Sequence, residues 1–212
     1  MTVQNIISLA QVGELRQLAV KDDTEAIIGF INLGLLELYK RFNIRIDEAI
    51  ITLQDTKTIY ALDGTDVDVD MPDDNFMLVV GATGEAESGI WEDLPINDSG
   101  NAYSVNTVDF NKVQIPIATA GSLVSIAYLA KPNPVYSDNL ADEIDLPEQL
   151  IEPLLNYIGY RGHGSIDGNI QTESNTHYMR FEASCNKARE LGVAVTADTM
   201  SMANRISSRC FV

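Results

Sequence analysis

The hydrophobic pattern changes period twice along this chain. Val3, Ile6, Ile7, Leu9 and Ala10 are spaced for a short amphipathic helix, which could continue to Leu18 with Gly13 as its weak point. Lys21-Asp22-Asp23-Thr24 is a polar break, and Asp23 or Thr24 suits the N-cap of a second helix. That helix is predicted to run to Phe42, because Ile27, Phe30, Ile31, Leu35, Leu38, Tyr39 and Phe42 recur at threes and fours. Gly29 and Gly34 lie inside it. Each weakens a helix by about 1 kcal/mol relative to Ala, so a closely approaching neighbour is the expected reason for them.

From Ile44 the period becomes two: Ile44, Ile46, Ala49, Ile51 and Leu53 alternate with polar residues. Further strands are predicted at 58–62, 66–70, 76–82, 103–108, 112–116 and 123–131, separated by Gly, Asn, Asp and Pro. Residues 84–100, which hold Trp91, read as a projecting hairpin or long loop. Such short, turn-separated strands suggest an antiparallel sandwich or barrel. After a proline-bearing connector at 131–139, Asp145-Leu146-Pro147-Glu148 has capping-box spacing. The apolar face Leu150, Ile151, Leu154, Leu155, Ile158 then predicts a third helix, in which Pro153 marks either a kink or the first turn. A last helix is predicted from about 170 to 191 on the spacing of Tyr178, Phe181, Cys185, Ala188 and Leu191, with Gly192 as its C′ residue. The expected fold is therefore α+β: residues 1–43 and 145–192 a helical domain, 44–144 a β-rich domain, and 193–212 an extended C-terminal tail.

Charge narrows the function. Thirty-one acidic residues against fourteen basic ones give a net −17. Such a surface repels nucleic acid and anionic lipid rather than binding them. Two cysteines, Cys185 and Cys210, are too few for a disulfide framework. No apolar run reaches the roughly 18–20 residues that span a bilayer, and the start of the chain lacks a signal peptide's basic region. A cytosolic or cytosol-assembled protein is expected.

Candidate chemistry is sparse. Asp66-x-Asp68-x-Asp70 opens like a calcium loop, but Met71 and Met77 stand where such a loop needs glycine and a bidentate glutamate. An exposed strand with Val67 and Val69 inward and the aspartates outward is the favoured reading. His163 and His177 would approach each other if the last two helices pair, with Asp167 or Glu173 as a third metal ligand, but no HExxH-like spacing supports a metal site. Cys185 falls on an apolar stripe and reads as a structural thiol. No catalytic residue, cofactor or metal is assigned. The tail carries apolar Met200, Met202, Ile206, Phe211 and Val212 with basic Arg205 and Arg209. It reads either as a disordered end or as a docking segment that orders on a partner.

The block from Ile28 to Tyr39 is similar to the second helix of the head-to-tail adaptor (connector) proteins of tailed bacteriophages, of the podophage type. So are Asp145-Leu146-Pro147-Glu148 with Leu154-Leu155-x-Tyr157-x-x-Tyr160-Arg161, and the closing helix with Tyr178-x-x-Phe181. The resemblance implies a structural virion protein without catalysis. Such proteins form a ring, commonly of twelve copies, between the portal and the tail nozzle or fibres, through which DNA passes. It implies portal contacts by Met200, Met202, Arg205, Ile206, Arg209, Phe211 and Val212, and ring contacts by Gly29, Gly34, Tyr39, Tyr157, Tyr160 and Arg161. Two other readings stand beside it: a β-domain that binds a fibre protein or glycan through Trp91 and Tyr103, and a metal-dependent hydrolase built on His163 and His177.

Overall fold

The computed structural model describes residues 1–85, 90–116, 121–164 and 171–193, the side chains of 171–173 excepted. They form two compact units, one of 1–44 with 132–193, the other of Arg45–Lys131. The fold is α+β, with four α-helices and antiparallel sheets among the described residues. Both sheets are open, so the barrel alternative falls away.

In the helical unit, α1 (Val3–Val12) is capped by Thr2, whose side chain accepts from the Asn5 N–H at 3.3 Å. It stops at Gly13 instead of continuing to Leu18. A Cβ at Gly13 would lie 3.0 Å from the Leu9 carbonyl oxygen, so the chain leaves the helix where no side chain obstructs it. The turn that follows delivers Leu15 and Leu18 to the core. α2 (Thr24–Phe42) begins at Asp23, whose carboxylate accepts from the Ala26 N–H at 3.0 Å, and ends at Asn43 with φ 46°. Asn tolerates this left-handed geometry better than most side chains.

α3 (Ile151–Gly164) follows a single 3₁₀ turn at Glu148–Leu150. The expected capping box at 145–148 does not form: Pro147 precedes the turn, and no side chain caps it. The Asp145 carbonyl accepts the Tyr39 hydroxyl at 2.7 Å. Pro153 is the third residue of α3, in the first turn, where an N–H has no intrahelical acceptor and its absence is tolerated. α4 (Gln171–Glu190) closes in a Schellman motif, with Val193 N–H bonded to the Ala188 carbonyl, Gly192 N–H to that of Arg189, and Gly192 at φ +79°. One apolar core joins all four helices, with Ile6, Ile31, Leu38, Leu154, Ile158 and Phe181 fully buried.

Among its described residues the second unit has eight strands: β1 (Ile46–Thr52), β2 (Ile59–Ala61), β3 (Val69–Asp70), β4 (Phe76–Glu85), β5 (Trp91–Asp93), β6 (Asn106–Asp109), β7 (Lys112–Gln114) and β8 (Leu123–Ala130). They form a five-stranded sheet, β3-β1-β8-β4-β5, and a three-stranded sheet, β2-β7-β6. β8 lies at the centre of the larger sheet and is buried along most of its length. Ile51, Tyr60, Val113, Ile126 and Tyr128, from both sheets, share one apolar core. At its edge the Tyr128 hydroxyl donates to Asn75, Asn75 donates to Asp47, and Asp47 pairs with Arg45. Burial pushes the Tyr128 hydroxyl up to about 12. β5 folds back on β4, so residues 84–100 include a hairpin, as one of the two sequence alternatives had it.

Two strand expectations need correction. The strand predicted at 103–108 starts only at Asn106, because residues 98–104 close turns through the Asp98, Asn101 and Ser104 side chains. The strand predicted at 66–70 shrinks to Val69–Asp70, and Val67 is 96% exposed rather than inward.

Candidate functional site

The reversal at Val67 is explained by Lys57. Its ammonium lies 2.5 Å from Asp66 Oδ1 and 2.7 Å from Asp68 Oδ2, and Asp66 also accepts from the Ala61 N–H. Asp66 therefore turns inward and Val67 outward. The place a calcium ion would take beside these two carboxylates is filled by the chain's own cation. Hydrogen bonds to both aspartates raise the Lys57 pKa. Burial works upward on Asp66, but the hydrogen bonds from Lys57, Ala61 and Asp68 outweigh it and hold the carboxyl below its usual range. Nothing in the sequence spacing pointed to Lys57.

α3 and α4 bring the two histidines together. Their rings stack at 4.6 Å and 19°, and Gly159 makes room: a Cβ there would be 2.7 Å from His177 Nδ1. His177 Nδ1 is 3.1 Å from a Glu14 carboxylate oxygen, and His163 Nε2 is 3.3 Å from the Glu14 carbonyl oxygen. Among the described residues no group of three or more His, Cys, Asp or Glu side chains could hold a metal. Asp167 and the Glu173 side chain lie outside the described residues. The Cys185 thiol is fully buried, and burial pushes it up to about 11. That is the behaviour of a structural thiol rather than a nucleophile.

The expected ring-contact residues divide by exposure. Tyr39 is buried, and Gly34 receives Leu154 and Tyr157 so closely that a Cβ would meet Leu154 at 2.6 Å. The close neighbours of Gly34 and of Gly159 thus belong to the same chain. Gly29, by contrast, has nothing within 4 Å of a built Cβ. It lies on a second stripe of α2, with half-buried Ala26 and Leu36 and with Leu33, which is 42% exposed. Tyr157 and Tyr160 are half-buried and Arg161 is exposed. The tyrosines join an aromatic ladder, with Tyr157 against Phe181 and Tyr160 against Tyr178, each at 5.2 Å. Arg41 secures it, lying over the Phe181 ring and pairing with Glu37 and Glu182 at 2.8 Å. Desolvation lowers the Arg41 pKa, but the hydrogen bonds it donates to these partners raise it well above its ordinary value. The i,i+4 spacing of Glu37 and Arg41 was visible in the sequence; the third partner, Glu182, was not.

In the β unit, Trp91 is half-buried on β5 and Tyr103 is 62% exposed in a turn. The seven expected portal-contact residues, 200 to 212, lie outside the described residues.

The family model for the SU10 adaptor protein matches residues 1–207. The chain belongs to the SU10 adaptor protein family. This membership bears out the sequence resemblance to phage head-to-tail adaptors. An SU10 adaptor is a phage protein of the virion that associates with other virion components, and such a family points to a non-enzymatic role. A search of curated proteins gives no match. No helix among the described residues is long and apolar enough to cross a membrane.

Proposed function

We propose that this SU10 adaptor forms a ring between the portal and the tail and lets DNA pass without binding it specifically. The observation that carries this reading is the two-sided apolar character of α2. A helix apolar on one face needs one neighbour, and an apolar second face needs another. The core of its own unit takes Ile27, Ile31, Leu35 and Leu38. The stripe Ala26, Gly29, Leu33 and Leu36 remains outward, with Glu25 and Lys40 at its ends and open space at Gly29 for a close approach. A second copy of the chain fits that stripe, with Tyr160 and Arg161 as further contacts, whereas Gly34, Tyr39 and Tyr157 support it from within. The segment from Met200 to Val212 is assigned to the portal. The net charge of −17 supports easy DNA passage, because a like-charged wall does not hold phosphate.

The test combines sedimentation with electron microscopy of the protein mixed with its portal. Rings are expected for the native chain, and Leu33→Glu should leave a folded monomer that no longer closes a ring. If the variant assembles normally, the α2 interface is wrong. If removal of 196–212 leaves portal attachment intact, the tail assignment is wrong. A second reading, in which the β unit engages a fibre protein or glycan, draws on exposed Tyr103 and Phe110, the latter 81% exposed at the β6–β7 turn. Alanine at both positions should then abolish fibre or glycan binding while rings still form.

A further inference from the structure

On a chain where acids outnumber bases by more than two to one, one open cavity of the helical unit has the opposite balance. It measures about 460 Å³. Arg16, from the turn after α1, and Arg180, from α4, line it together with His163 and His177, the chain's only histidines. Glu14 is the single acid among its described lining residues. Arg180 stands three residues beyond His177, so both side chains project from one face of α4.

The floor and the rim differ. Both histidines are buried, stacked on each other and in contact with Glu14. Arg16 and Arg180 are exposed, and neither forms an ion pair among the described residues. Arg41, in the same unit, shows the contrast, since two carboxylates hold it. Arg16 and Arg180 thus bring two positive charges without a carboxylate partner among the described residues to one cavity. Their planar forks match the oxygens of a phosphate group.

We propose that this cavity binds a phosphate-type oxyanion, clamped by Arg16 and Arg180 above the His163–His177 floor. The anion can come free from solution or as a phosphodiester of passing DNA; the chain's negative charge slows the approach of a long polyanion more than that of a small ion. The site lies within one copy, so it stands or falls apart from the ring.

Inorganic phosphate is the probe, titrated into the full-length protein and followed by calorimetry and by the histidine ring signals in NMR. Saturable binding of one phosphate per chain is expected, with shifts at both histidines. Arg16→Gln and Arg180→Gln should each weaken it about tenfold, the usual effect of losing a charge-assisted hydrogen bond. Glu14→Gln, which removes the one acid among the described lining residues, should tighten it. Circular dichroism confirms that the variants are folded. Absence of saturable binding, or binding that both arginine variants leave unchanged, overturns the proposal. A short DNA duplex that competes with phosphate identifies the phosphodiester as a source; a duplex that does not compete assigns the site to the free ion.

Discussion

Gly162 shows how far a single missing Cβ reaches. A Cβ there would lie 2.3 Å from Leu15 Cδ2, inside the core of the helical unit. Gly162→Ala is expected to destabilise the protein by about 1–3 kcal/mol, the usual range for overpacking, read as a shift in the urea midpoint. Lys57 governs the β unit's acidic loop through charge. Asp66 has a lowered pKa, so its contribution is present above the ordinary carboxyl value of about 4 and is lost as pH falls through its lower folded value. Lys57 has a raised pKa, so its contribution is present below about 10.4 and is lost as pH rises through its higher folded value. In Lys57→Met the stability deficit should be widest between those limits and narrow towards both extremes; urea midpoints across pH will show it. The Cys185 thiol, buried and pushed up to about 11, should react with a thiol reagent at pH 8 only as fast as the native protein opens. Rapid labelling of Cys185 in the folded state, mapped by mass spectrometry, would contradict its placement.

Elements begin and end where local chemistry says they should, with instructive exceptions. The Asp23 cap of α2 was readable because a short acceptor side chain stands directly before a periodic apolar run. Asp23→Ala should cost about 1 kcal/mol, measured by chemical denaturation. Gly192 at the end of α4 was equally readable, since its positive φ favours glycine. The capping box at 145–148 misled because the first turn starts after Pro147, with no side-chain cap, and the strand at 66–70 misled because its pattern is local while its partner is distant. Lys57 draws Asp66 inward and leaves Val67 outside. Sequence spacing encodes which face a residue could occupy, not which remote group competes for it.

At the scale of the whole chain, the β unit enters and leaves at adjoining points. β1 and β8 are antiparallel neighbours, and the Ala130 N–H bonds the Arg45 carbonyl at 3.0 Å. With its own core and adjacent ends, a fragment of residues 45–131 is expected to unfold cooperatively on its own. A fragment without a cooperative thermal transition would show that it depends on the rest of the protein. The amino-acid order by itself determined the succession of helices, strands and helices, the main capping residues, the acidic surface and the resemblance to phage adaptors. These follow from periodicity, short-range hydrogen bonding and composition, which are properties of neighbouring residues. The tertiary structure alone decided that Gly34, Gly159 and Gly162 serve contacts within one chain, that Lys57 fills the acidic loop, and that Arg16 and Arg180 join the stacked histidines around one cavity. Each of these joins side chains far apart in sequence, and their spacing along the chain carries no record of the meeting.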